Sequence, residues 1–184
     1  MLFGKLRNPK KITHRGRRLA AILDAHTKFV LNHPGGVRAQ LASADLSNAD
    51  LRGQNLTRAC FEGAKLDGAD LRTCKLAAAE MSRASLRGSD LRNSDLTEAN
   101  LSGADLTEAN FSGAELFRAD LTAAVAHKSV FRGANLRQAK LAGADFSGAD
   151  MNIASLREVD LSQARMDGAD TSTAVYHAGT KAIR

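Results

Sequence analysis

A large apolar residue recurs at every fifth position through most of this 184-residue chain. Leu41, Leu46, Leu51, Leu56, Phe61, Leu66, Leu71 and Leu76 open the series. The phase holds through Leu161 and Met166, with Ala126 the one small residue in the run. Two places before them stand small residues: Ala44, Ala49, Ala59, Ala64, Ala69, Cys74, Ala79 and Ala84, then Ser89 and Ser94. Five is the period of no regular element. On an α-helix five steps turn the side chain through about 500°, so the leucines would spiral over every face. On a strand an odd step sends successive leucines to opposite faces. Only a chain that turns once inside every repeat brings all of them to one interior.

The remaining slots fit that turn. Directly before the large residue stand Asp45, Asp50, Asn55, Asp70, Asp90, Asp95, Asn100, Asp105 and Asn110. Such side chains hydrogen-bond nearby backbone at bends. Two places after it come ten of the fifteen glycines, among them Gly53, Gly103 and Gly143. A slot that collects glycine is one where the backbone needs positive φ or close approach.

The period changes near the N-terminus. Residues 1–12 read as a loosely docked basic leader. From about Thr13 to Asn32 the spacing is helical: Leu19, Ile22, Leu23, His26, Val30 and His33 form one stripe. The run His33-Pro34-Gly35-Gly36 ends that helix, giving a segment 13–36 with its turn. The repeats fill 37–178, and 179–184 remain as a tail.

The tandem units Ala-Asp-Leu-Ser-Asn, Ala-Asp-Leu-Arg-Gly and Ala-Asn-Leu-Ser-Gly-Ala-Asp-Leu resemble the pentapeptide repeat family, over roughly three quarters of the chain. The resemblance implies an all-β solenoid, a right-handed quadrilateral β-helix of four pentapeptides per coil. The Thr13–Asn32 helix is then the N-terminal α-helical cap. Twenty-residue coils over 37–178 make about seven, a rod roughly 30–35 Å long at a strand spacing of about 4.8 Å.

With that coil, inward columns follow. One is Leu56, Leu76, Leu96, Leu116, Leu136, Leu156 and Tyr176; another is Leu51, Leu71, Leu91, Phe111, Phe131 and Met151. In a third, Ala126 precedes Phe146, so the larger ring fills the space the alanine leaves. The small slot shares the same narrow lumen, so Ala104→Leu is expected to overpack it.

Charge adds an asymmetry. Residues 1–38 carry nine Lys or Arg against Asp24, a net +8, whereas 39–174 are mildly acidic at −4. The basic end allows contact with an anionic surface, nucleic acid or membrane; alternatively Arg15, Arg17 and Arg18 simply solubilise the cap. No apolar run nears the length of a membrane helix, and no secretory signal is recognised, which points to the cytoplasm. Cys60 and Cys74 occupy slots on opposite sides of a wall, so both are expected as free thiols, Cys60 facing out and Cys74 in.

Catalytic chemistry is not indicated. No Walker loop, GxSxG, CxxC or HExxH occurs, and His14, His26, His33, His127 and His177 are scattered. No enzyme activity, cofactor or metal site is expected. The candidates are surface patterns. Arg52, Arg72 and Arg92 share one slot at twenty-residue spacing, Arg132 returns to it after Ser112, and Asp50, Asp70 and Asp90 form a matching ladder. Mutual pairing would leave a solvated face worth little; an unpaired array would meet phosphates or carboxylates. The Asp ladder cancels most of the field and favours the first alternative. Val125 and Val130 stand where Asp or Asn is usual, and Phe117 and Ile153 also take outward slots. They mark either a protein contact or a local bulge that folds the valines back. At the far end Thr171 replaces the large apolar residue, and Val175 and Tyr176 are candidates for a dimer contact.

The best-fitting function is a rod-like interaction or scaffold module of bacterial type with an unidentified protein partner. The resemblance also implies an alternative: some family members mimic B-form DNA and modulate DNA gyrase. The mixed charge of this body departs from that subset, since a DNA mimic needs one long acidic face.

Overall fold

A computed structural model describes residues 5–176. The predicted tail 179–184 lies outside the described residues, as do 1–4 of the leader and 177–178 of the predicted body.

The five-residue beat resolves into four-sided coils. Except at Lys140, the residue before a large apolar one pairs in parallel with the residue twenty positions on, as in Asp50 with Asp70 and Asp70 with Asp90. Such rungs run on all four sides, from Gln40–Cys60 to Ser155–Val175. Each rung is two backbone bonds: between Lys65 and Ser85, Leu66 N donates to Ser85 O at 2.6 Å and Ser85 N donates to Ala64 O at 2.9 Å. At each corner the small residue closes a tight turn, as where Ala104 N donates to Leu101 O at 3.0 Å. The third residue of that turn is left-handed. Gly103 has φ 64°, the conformation glycine adopts without strain. Arg58 at φ 62° and Glu98 at φ 57° take the same conformation without glycine. Each such residue costs about 1–2 kcal/mol, which the corner bond and the stacked coil must outweigh. The Asp/Asn slot does what its chemistry predicts: Asp95 Oδ1 accepts from Thr97 N at 3.0 Å, and Asn110 Oδ1 from Ser112 N at 2.9 Å.

The interior is one continuous apolar cluster from Ile12 to Leu161, with Leu41, Leu56, Leu76 and Leu116 fully buried. The three serines of the small slot turn their hydroxyls back to the wall; Ser89 and Ser94 each donate to the carbonyl three residues earlier at 2.6 Å, and Ser129 donates to Ala126 O at 2.5 Å. Phe111 and Phe131 stack one coil apart with centroids 4.8 Å apart, and Phe146 meets Phe131 edge-on at 5.5 Å. Ala126 is the small neighbour that makes room for that crossing ring.

The N-terminal segment differs from expectation in three ways. The helix α1 spans Leu19–Val30, not Thr13–Asn32. Upstream, β1 (Thr13–His14) and β2 (Arg17–Arg18) pair as a hairpin. Its turn, Arg15 at φ 48° and Gly16 at φ 75°, is left-handed at both centres, the twist a two-residue hairpin needs. The buried stripe is narrower than predicted: Leu19, Ile22, Leu23 and His26 are buried, whereas Val30 is half-buried and His33 exposed. Nor is the leader loose from residue 5 onward. Arg7 N donates to Asn48 O and Asp50 N to Arg7 O, so the leader supplies a rung beneath the first wall. Ile12 is buried, and its carbonyl accepts from Leu19 N at 2.8 Å.

α1 is tied to the first coil by Val37 N to Ala25 O at 3.0 Å and by Ala39 N to His26 Nδ1 at 3.0 Å. Gly36 is required there, because a Cβ would lie 2.4 Å from the backbone nitrogen of Phe29.

Two body features also depart from expectation. Cys60 sits in the outward slot yet is only 7% exposed. It lies between Gln40 and Glu80 in its column, and the Arg38 guanidinium pairs with Glu80 at 2.8 Å across that row. Cys74 points inward as predicted, and both thiols are free. The second departure is a missing rung. Lys140 pairs with Asp120 but not with Asp160, the one gap in the twenty-residue series among the described residues.

Candidate functional site

The Arg and Asp ladders are brought together side by side. Arg72 Nε and Nη2 donate to Asp70 Oδ1 and Oδ2 at 2.9 and 2.7 Å, while Arg72 N also donates to Oδ1 at 3.2 Å. Arg52 with Asp50 and Arg92 with Asp90 repeat this two-point geometry. The ladder is also stitched along the rod: Arg52 Nε lies 3.4 Å from Asp70 Oδ2 and Arg72 Nε 3.6 Å from Asp90 Oδ2. The local cause is the five-residue turn, which places slots two apart on the same outer wall.

The layers are unequal in depth. The Asp70 and Asp90 side chains are 6% and 4% exposed, those of Arg72 and Arg92 38% and 43%. Hydrogen bonding by Arg52 holds the Asp50 carboxyl below its ordinary range, and the carboxylates raise the Arg52, Arg72 and Arg92 guanidinium pKa values. At the Asp70 and Asp90 rungs the wall therefore shows guanidinium outermost and carboxylate beneath, whereas Asp50 stays 30% exposed. An open surface hollow of about 370 Å³ lies over this wall, lined by Arg52, Arg72, Thr73, Arg92 and Asn93. Arg132, two coils beyond Arg92, takes no part in that lining.

The apolar candidates do not form one patch. Val125 is 43% exposed and Val130 half-buried, on adjacent sides of the coil. Their rungs, Asp105–Val125–Asp145 and Asn110–Val130–Asp150, are regular, which removes the bulge alternative. Phe117 faces a third side, half-buried, with the guanidinium carbons of Arg118 and Arg137 at 4.8 and 5.6 Å from its ring centroid. Its face is covered by cations and is not bare. Ile153 is 56% exposed in a corner at φ 53°, a strained conformation for a β-branched residue. At the end of the described chain Val175 is 39% exposed, and Tyr176 packs half-buried against the core.

At the N-terminal end Lys10, Lys11, Arg15, Arg17 and Arg18 are exposed, whereas Arg7 turns to Asp45 at 3.3 Å. His26 is fully buried; burial, then the Arg38 charge, lowers its pKa. Burial pushes the Cys74 thiol up to about 12, and its Sγ donates to Leu51 O at 2.9 Å.

One feature escaped the sequence reading. Beside the missing rung lies a second hollow of about 370 Å³, with Lys140, Leu141, Asp160 and Gln163 in its lining. The signal was present: Val159 fills the small inward slot that Ala139 fills one coil earlier. Among the described residues no group of His, Cys, Asp and Glu is arranged to hold a metal ion, and no helix is long and apolar enough to cross a membrane.

The family model for pentapeptide repeats matches residues 37–72, 74–113 and 114–152, as eight copies. Among solved structures, HetL, a pentapeptide repeat protein involved in heterocyst differentiation regulation from the cyanobacterium Nostoc sp. strain PCC 7120, is similar. It shares 29% identity over 74% of this chain and 82% of that one, with a TM-score of 0.37. The pentapeptide repeat protein alr5209 from Nostoc PCC 7120 shares 31% identity over 59% of this chain and 84% of that one, with a TM-score of 0.44. A trypsin-treated variant of QnrB1, a plasmid-mediated fluoroquinolone resistance protein, shares 17% identity over 75% and 79%, with a TM-score of 0.36. No curated protein matches the chain.

Proposed function

Because the chain belongs to the pentapeptide repeat family, whose members form right-handed quadrilateral β-helices, we propose that it is a non-enzymatic rod that binds a protein partner through its outward slots. The observation that carries this reading is Val125. It stays 43% exposed in an unbroken register, where Asp or Asn would serve the turn. Ile153, strained and 56% exposed, adds to it, since neither burial nor glycine offsets its conformation. Bare apolar side chains on a polar rod gain free energy when a partner covers them.

In this reading the body comprises about seven coils over 37–178. The leader, hairpin and α1 cap its first coil, and the open last coil, with Val175 and Tyr176, meets a second copy. Support for the open end comes from Met166, Ala174 and Tyr176, which are only partly buried where their upstream counterparts are sealed. A gyrase-directed DNA mimic draws less support, because guanidinium groups overlie the Asp70 and Asp90 carboxylates.

A photo-crosslinking side chain at position 125, at 153, and at 82 on another wall tests the reading in native lysate. A discrete adduct at 125 or 153, absent at 82, is expected. Uniform labelling at all three positions, or none at any, would contradict it.

A further inference from the structure

We propose that the groove over Arg52, Arg72 and Arg92 binds a phosphate oxyanion, best a short polyphosphate chain that spans all three rungs. The lining comprises three guanidinium groups, Thr73 and Asn93, and no carboxylate. An anion entering the groove therefore meets only cations and neutral polar groups. Of the carboxylates that neutralise the ladder, Asp70 and Asp90 lie beneath it, sealed from solvent, while Asp50 at its end is 30% exposed and engaged by Arg52 at two points.

Those carboxylates also fix the donors. Each pairs with the Nε and Nη2 of its own arginine, and Asp70 and Asp90 additionally hold the arginine of the coil before. A guanidinium has five N–H groups, so the two on Nη1 and one on Nη2 remain for a ligand. Arginine side chains normally lose rotamer freedom on binding; these have already lost it on folding. Consecutive guanidinium groups rise by the strand spacing, about 4.8 Å, so one tetrahedral group can accept from two neighbours. A lone planar carboxylate is satisfied by a single guanidinium and gains nothing from the third rung. Phosphate, with more oxygens and more charge, uses the stack.

The site does not depend on the protein-binding role of Val125 and Ile153, which occupy other positions on the rod; the two experiments fail separately. Calorimetric titration of the full chain at low salt, with inorganic phosphate, pyrophosphate and tripolyphosphate against glutarate, tests it. Affinity should rise with phosphate number, exceed glutarate, and fall at least tenfold in Arg72→Gln. Arg132→Gln, which removes equal charge outside the groove, should leave it unchanged. If Arg72→Gln fails to fold by circular dichroism, Arg52→Gln, at the more exposed end of the ladder, takes its place with the same expected loss. Equal weakening by the Arg132 and ladder variants would reduce the effect to diffuse charge and overturn the proposal. So would glutarate binding as well as tripolyphosphate, or no binding of tripolyphosphate at millimolar concentration.

Discussion

Val159 occupies the inward slot that Ala139 fills one coil earlier, and beside it the rung between Lys140 and Asp160 is absent. Every earlier member of that column, from Ala39 through Ala119, is alanine and carries an intact rung on its following residue. The backbone slips with the broken rung: Gly143 N donates to Gln163 O, whereas Gly103 N, in the regular pattern, donates to Thr122 O. Two extra methyl groups in a close-packed lumen are the physical cause we assign to the gap, and they are expected to push the wall outward. Val159→Ala should let it close. Overpacking typically costs about 1–3 kcal/mol, partly offset by the apolar area valine buries. A net gain of about 1 kcal/mol would raise the thermal midpoint by about 2–4 °C. Slower hydrogen exchange at the Leu141 and Asp160 amides would mark the restored rung; an unchanged midpoint with unchanged exchange would show that valine is not the cause.

The same physics predicts a larger effect where the wall is intact. Ala104 is fully buried in the lumen, with rungs on its flanking residue from Ser85 to Val125. Ala104→Leu should destabilise the rod by about 1–3 kcal/mol. A thermal melt followed by circular dichroism checks this, and a midpoint equal to that of the parent would count against a tightly filled interior.

His26 gives the N-terminal end a pH dependence. Its Nδ1 accepts from Ala39 N at 3.0 Å, a bond the neutral ring makes, and burial lowers its pKa from the ordinary 6.5. The unfolded chain then takes up the proton first. The stability tied to the neutral ring is present above pH 6.5 and is lost as the pH falls below it through the folded-state value. His14, also lowered chiefly by burial, acts in the same direction. The melting midpoint should fall between pH 8 and pH 5, and His26→Gln should flatten most of that slope. A slope unchanged in the variant would place the dependence on His14 or elsewhere.

Cys74, with its thiol pushed up to about 12 and bonded to Leu51 O, should resist a disulfide reagent at pH 8 until the rod unfolds. The Cys60→Ser variant isolates it. Prompt labelling of Cys74 in the folded protein would contradict its inward placement.

The body was legible in the sequence because one physical demand, a small and a large side chain facing one lumen at each corner, repeats with so few exceptions. The N-terminal end was less so. Thr13–Arg18 continues the helical spacing on paper, yet Arg15-Gly16 can turn left-handed and the hairpin forms instead. Arg7 joins the first wall through its backbone, which no side-chain pattern records. The Arg and Asp ladders followed from the twenty-residue coil, but their depth did not: only the fold shows the Asp70 and Asp90 carboxylates beneath and the guanidinium groups outside. Val159 was in view and passed unremarked, since an apolar residue in an apolar slot signals trouble only through its size.

The central structural claim is that twenty residues advance the rod by one strand spacing. Nitroxide labels at positions 42 and 142 on one wall, in a background with Cys60 and Cys74 replaced by serine, measure it by pulsed dipolar spectroscopy. The two residues are five coils apart, so a single narrow distribution near 24 Å is predicted, at about 4.8 Å per coil. A broad distribution, or one centred well beyond 35 Å, would contradict the twenty-residue coil.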